Sequence, residues 1–267
     1  MSAPAEVVAH PASTLLLLRD GPAGLEVLMV TRHAETEVAG GALVFPGGRV
    51  DPGDGAPEVL GSCRAPAPAD SAAMAFRVAA IRESFEEAHV LLARRCGEDA
   101  PIAAAALAAL EEDLAVLLGR APHFADLVAS GVIELATDLM VPFAHWITPK
   151  GRSRRFDTHF FLAPVPADQV AAHDGREAVE SVWISPPAAV AAADAQRASL
   201  VFATRMNLRK LGQSRDVASA LAAARGDRIV TICPELYETP AGLRIRIPAD
   251  AGYGPADMSA EDVLVTR

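Results

Sequence analysis

Short apolar runs and turn residues punctuate the first fifty positions. Ser13 to Arg19 and Leu25 to Thr31 are branched and apolar, and Asp20-Gly21-Pro22-Ala23-Gly24 between them has turn chemistry, so they predict a β-hairpin. Ala42 to Phe45 predicts a short strand leading into the turn Pro46-Gly47-Gly48, after a loose tail over residues 1–11. Residues 51–70 are rich in proline and glycine and predict an irregular loop. From a cap at Asp70 or Ser71 a helix is predicted to about Arg95, with Gly97 beyond its end and Arg94 and Arg95 set against its dipole. Its apolar positions, Met74, Val78, Ile81, Phe85, Ala88 and Leu92, alternate at spacings of four and three and make one narrow stripe.

Further along, Ile102 to Leu118 and His123 to Ser130 predict helices, the first packing on the domain or meeting a second copy in a homodimer. Leu139 to Ile147 and Phe156 to Pro164 read as strands joined by the basic loop Lys150-Gly151-Arg152-Ser153-Arg154-Arg155. A strand over Val182 to Ile184, a helix over Pro186 to Ala193, helices within 197–225 and strands over Ile229 to Cys233 and Leu243 to Ile247 complete the expectation. Trp146 and Trp183 fall at strand ends, as core anchors do.

The helix after the proline-rich loop carries Glu83, Glu86 and Glu87. At about 100° per residue they share one face, opposite the apolar stripe. Like charges stacked this way repel. A solvated helix face is the plain reading; beside a glycine turn, the same three hard oxygen donors suit a Mg²⁺ ion that bridges phosphates.

Composition narrows the classes. The 267 residues are 51% hydrophobic, enough for a sizeable core, and 34 acids against 24 bases give a formal charge of −10. That balance argues against a general nucleic-acid binder, while a local metal still permits small anionic substrates. Cys63, Cys96 and Cys233 are odd in number and form no CxxC pair, so inert thiols in a reduced, cytoplasmic setting are expected. No secretory signal is seen, and Glu111, Glu112 and Asp113 break the most apolar helix, so no membrane span is expected.

Gly48, Asp54, Arg82, Glu83, Glu86, Glu87 and Val90 together resemble the box of the Nudix hydrolases, Gly-x5-Glu-x7-Arg-Glu-apolar-x-Glu-Glu-x-Gly-apolar. Asp54 replaces a glutamate, Ser84 an apolar residue and His89 a glycine. The 27 residues between Asp54 and Arg82 exceed the pattern's seven by an insert of about twenty, roughly residues 55–74. Phe45-Pro46-Gly47-Gly48-Arg49-Val50-Asp51, Trp146-Ile147-Thr148-Pro149 and Arg155-Phe156-Asp157-Thr158 resemble a subgroup that includes peroxisomal-type coenzyme A diphosphatases. The resemblance covers residues 12–195, with 196–267 as a C-terminal extension packed on the core.

It implies an α/β (α+β) fold, the α/β/α sandwich with a mixed β-sheet. It implies that Glu83, Glu86 and Glu87 hold Mg²⁺ or Mn²⁺ with help from a backbone carbonyl near Gly47, and that Gly48, Asp54 and Arg82 support them. The box leaves the catalytic base open between a box glutamate such as Glu83 and a later acid, of which Glu177 in Asp174-Gly175-Arg176-Glu177 is the candidate. Arg154 and Arg155 are candidate contacts to a terminal phosphate, against the plain reading of a solvated basic loop. The implied partner is a small-molecule diphosphate such as coenzyme A or acyl-CoA. The alternative is a catalytically inactive Nudix-fold nucleotide-binding or regulatory module.

Overall fold

Four consecutive leucines, Leu15 to Leu18, are each no more than 1% exposed, which requires cover on both sides of the strand that carries them. Strand β1 (His10–Gly21) and strand β2 (Gly24–Arg32) form the expected antiparallel hairpin, Leu18 opposite Val27, with Gly24 at φ 118° where the chain reverses. Leu15 and Leu17 face one core with Leu28 and Val30; Leu16 and Leu18 face a second with Val27 and Met29. Burying one such leucine contributes about 1.5–3 kcal/mol. The computed structural model describes residues 7–33, 40–64, 70–166, 168–171 and 178–260. The tail is shorter than expected, since His10 and Pro11 already belong to β1.

Next in the chain come β3 (Leu43–Val44), β4 (Gly47–Arg49) and, inside the insert, the single turn α1 (Pro57–Leu60). Helix α2 (Ser71–Ala88) starts where Asp70 accepts the Ala73 amide at 2.8 Å. It stops seven residues before the expected end, because His89 turns left-handed at φ 54°. Leu92, Arg94 and Arg95 therefore lie outside the helix. Arg94 and Arg95 sit on β5 (Ala93–Arg95), and Arg94 grips Asp138 at 2.6 and 3.0 Å instead of answering a helix dipole.

Helices α3 (Ala104–Leu118) and α4 (Phe124–Ala129) and strand β6 (Ile133–Leu135), paired with β5, complete this side of the molecule. On α3 the early Leu107 and Leu110 are buried, whereas Val116 and Leu117 near its end are exposed. Strands β7 (Val141–Ile147) and β8 (Phe156–Pro164) follow, then β9 (Ala178–Ile184), α5 (Pro186–Asp194), α6 (Phe202–Leu211), α7 (Val217–Gly226), β10 (Thr231–Ile232), β11 (Glu235–Thr239), β12 (Gly242–Arg246) and β13 (Asp257–Ser259).

The main sheet runs β10-β7-β8-β1-β2-β3, with β4 also on β1 and β9 also on β2. It is mixed: β1 with β8 and β7 with β10 are parallel, the rest antiparallel. One face packs on α2, α3 and α4; the other packs on α5, α6, α7 and the small β11-β12-β13 sheet. The expected layered α+β architecture is thus present. Residues beyond 196 share the second core, where Trp146 donates to Asn207 Oδ1 at 3.2 Å and Tyr253 donates to the same oxygen at 2.6 Å.

Candidate active site

The diglycine turn is built by close approach. The Pro46 carbonyl accepts Leu15 N–H at 3.0 Å, and β4 lies against β1 with Thr14 opposite Gly47 and Ser13 opposite Gly48. A Cβ on Gly47 would fall 2.5 Å from the Ser13 carbonyl oxygen, and one on Gly48 would fall 2.5 Å from Glu83 Oε1. Neither glycine has positive φ. Space, and not the positive φ of a plain tight turn, demands glycine here.

Helix α2 brings its acids to this turn. The plain reading of a solvated face does not hold for two of the three acids: Glu83 is 9% exposed and Glu87 3%, because β4 and the 3-10 turn Pro52–Gly55 cover that side. Glu86 remains open to solvent, its side chain 45% exposed. Buried carboxylates need donors. Glu87 Oε2 accepts Gly47 N–H at 3.0 Å, tying the helix to the turn.

Arg82 gathers the others. It donates from Nε to Asp54 Oδ1 at 2.8 Å and from Nη2 to Asp54 Oδ2 at 3.0 Å. Its Nη1 reaches Glu83 Oε1 at 2.8 Å and Glu86 Oε2 at 2.9 Å, and Nη2 also reaches the Arg49 carbonyl at 2.8 Å. Burial by itself would lower its pKa; the Asp54 hydrogen bond and the charges of Glu83, Asp54 and Glu86 outweigh this and raise it. Asp54, though one methylene short of glutamate, reaches Arg82 with both oxygens and also accepts Asp51 N–H at 2.8 Å.

A cleft of about 1270 Å³ opens beside this cluster, larger than the roughly 300–1,000 Å³ usual for small-ligand sites. Gly47, Gly48, Arg49 and Glu83 line one part, and Arg152 and Arg154 of the basic loop line another. Trp146, Phe160, Phe202, Leu236 and Ile245 supply apolar wall. Arg155 is turned inward: it is 6% exposed and donates to the carbonyls of Thr148 at 3.0 Å and Val7 at 2.8 Å, so it braces the loop and does not line the cleft. Glu177 lies outside the described residues. Sequence reasoning did not find Arg152, Phe202, Leu236 or Ile245. The last three come from the extension, and apolar periodicity does not tell a cleft wall from a core.

The donor set fits a hard divalent cation. Three carboxylates, two of them shielded from bulk water, stand against a main-chain turn whose glycine leaves room for them. Their oxygens are not gathered within 4.8 Å of one another as they stand, with Glu86 turned onto Arg82.

Comparison with known proteins follows the same lines. The model of the NUDT19 Nudix domain matches residues 62–203, more than half of the chain and inclusive of Arg82, Glu83, Glu86 and Glu87. A chicken (Gallus gallus) protein named acyl-coenzyme A diphosphatase NUDT19 is 30% identical over 64% of this chain and 56% of its own. The putative nudix hydrolase 7 of Caenorhabditis elegans is 30% identical over 80% of this chain and 64% of its own. The chain therefore spans somewhat more than half the length of these relatives. The crystal structure of a NUDIX hydrolase from Alicyclobacillus acidocaldarius shares the fold, with a TM-score of 0.67 at 24% identity over 80% of this chain and 96% of that one. With the family model covering the glutamate helix and the fold shared along most of its length, the chain belongs to the Nudix hydrolases, in the group of the NUDT19 Nudix domain.

Proposed function

We propose that the chain hydrolyses the diphosphate bond of a nucleoside diphosphate derivative, with coenzyme A or an acyl-CoA as the leading substrate, in the presence of Mg²⁺ or Mn²⁺. One observation carries this reading: Glu83 lies against Gly48 in the wall of a large cleft that Arg152 and Arg154 also line. Glu83, Glu86 and Glu87 would hold the cation, with a backbone carbonyl near Gly47. When bound, the cation supplies charge neutralisation at the phosphoryl oxygens and a more acidic water.

The chain's own residues do the rest. Arg82 is a positioning residue that holds Glu83 and Glu86 by their carboxylates. Arg154 and Arg152 are set to meet phosphate oxygens through charge-assisted hydrogen bonds. The apolar wall of Phe160, Phe202, Leu236 and Ile245 suits an apolar group attached to the diphosphate. A water attacking phosphorus must lose a proton, and the acceptors proposed are Glu83 and Glu177. Separate Glu83→Gln and Glu177→Gln variants, compared in their pH–rate profiles, distinguish the two. A reduced, cytoplasmic setting suits the three free thiols.

The departures from the pattern at Asp54, Ser84 and His89 favour the inactive module, and two of them are met by the fold. Asp54 still reaches Arg82, and His89 takes the left-handed conformation that the pattern's glycine would take, whereas the buried Ser84 hydroxyl has no hydrogen-bond partner among the described residues. Incubating the pure protein with Mg²⁺ and a panel of CoA esters, ADP-ribose, dinucleotides and nucleotide sugars, with products read by mass spectrometry, tests the proposal. Cleavage of at least one, lost in Glu86→Gln/Glu87→Gln, is expected. Tight binding of one compound without any cleavage would select the module instead.

A further inference from the structure

A second group of ligand-bearing side chains lies away from the glutamates. On β8, Phe156, Thr158 and Phe160 line the cleft, so strand alternation sends Asp157 and His159 to the other face. On the neighbouring β7, Trp146 lines the cleft and His145 faces away from it, directly across from His159. One ligand atom from each of His145, Asp157 and His159 lies within 4.8 Å of the other two.

We propose that His145, Asp157 and His159 form a second metal site, of the zinc class and distinct from the glutamate cluster. Two imidazoles and one carboxylate favour Zn²⁺, Co²⁺ or Ni²⁺ over Mg²⁺. Tetrahedral zinc ligands stand about 3.3 Å apart, given Zn–N bonds of about 2.0 Å, so a metal entering here replaces the His145–Asp157 hydrogen bond and draws His159 in.

Three further features prepare it. His145 Nδ1 is engaged by Thr231 Oγ1 at 2.8 Å, which leaves Nε2 directed at Asp157. Such an outer partner orients a ligating imidazole. The His159 ring is held between His145, 4.1 Å centroid to centroid, and Phe76, 4.2 Å away. Neither nitrogen of His159 has a hydrogen-bond partner among the described residues, although the ring is partly buried.

A plain brace, with His145 joining Asp157 to Thr231, accounts for two of the three residues. It gives His159 no polar task. The metal reading uses all three and joins β7, β8 and, through Thr231, β10. The fourth coordination position falls to solvent, which reaches Asp157, 36% exposed at its side chain.

The test uses the metal-stripped full chain in excess Mg²⁺, titrated with Co²⁺ and followed by visible d–d absorption. One equivalent giving an inner-sphere band is expected, together with a rise in melting temperature when Zn²⁺ is added. His145→Gln, Asp157→Asn and His159→Gln should each abolish the band, and Thr231→Val should weaken Co²⁺ binding about 10-fold or more. The Glu86→Gln/Glu87→Gln variant should keep it. Circular dichroism of each metal-free variant checks the fold, and Thr231→Val carries the test if a ligand variant fails to fold. A wild-type chain without the band, a band surviving all three ligand changes, or a band lost with the glutamates would overturn the proposal.

Discussion

At the scale of single residues, the site depends on what is missing from Gly48. An alanine there would place its Cβ 2.5 Å from Glu83 Oε1, so Gly48→Ala must push that carboxylate aside. A displacement of about 1 Å near the chemistry costs on the order of 100-fold. That loss is expected in kcat, with weaker Mg²⁺ activation, in steady-state assays of any diphosphate the chain cleaves; unchanged kinetics would contradict the assigned contact. His89 is the opposite case, a side chain where the backbone prefers none. Its left-handed φ of 54° costs a non-glycine residue about 1 kcal/mol. His89→Gly should therefore raise stability to urea by about 0.5–1 kcal/mol, less whatever the half-exposed His89–Glu111 pair at 3.3 Å and the Phe85 ring contact contribute. The glutamates and glycines were legible because their spacing survives in the sequence. The left-handed turn at His89 was not, since nothing in a histidine announces positive φ.

Between elements, the decisive joint is the one that Arg82 makes. It links α2 to the turn at Pro52–Gly55 through Asp54, which is only 3% exposed. Removing one partner of a buried ion pair leaves the other uncompensated and costs about 3–5 kcal/mol. Arg82→Met should lower stability by that amount in denaturant melts. Arg82→Lys should recover only part, because an ammonium cannot reproduce the two-pronged grip on Asp54. Equal stability of wild type and Arg82→Met would show that the guanidinium does not hold this joint. Periodicity revealed α2, but it misjudged the cover. An apolar stripe says which side of a helix is greasy and cannot say that a turn well upstream, 28 residues before Arg82 at Asp54, folds over the other side. Nor did it separate the helix from β5, since Leu91, Leu92 and Ala93 are as buried as the stripe they appear to continue.

Over the whole molecule, the described residues after 196, up to 260, supply much of the second core. Met206, Leu208, Leu211, Ile245 and Met258 cover the same face of the sheet as Leu16, Leu18, Val27 and Met29. A chain ended at residue 196 should lose cooperative thermal unfolding and bind a hydrophobic dye; a sharp calorimetric transition would refute this. The strands and helices were readable from apolar periodicity, and their layering from the resemblance that the glutamate box carries. The cleft was not, because its walls join β4, the basic loop, α6 and the small C-terminal sheet, which only the tertiary fold brings together. The proposed zinc site shares that character, being a neighbourhood more than a motif.

The parallel pairing of β1 with β8 sets a timetable for synthesis. His10 meets Phe156 and Leu18 meets Pro164, so the leucine-rich edge of the hairpin leaves the ribosome well before the segment that seals it. At cellular translation speeds that wait lasts on the order of ten seconds, a period in which a chaperone has a natural client and a neighbouring nascent chain a ready place to stick.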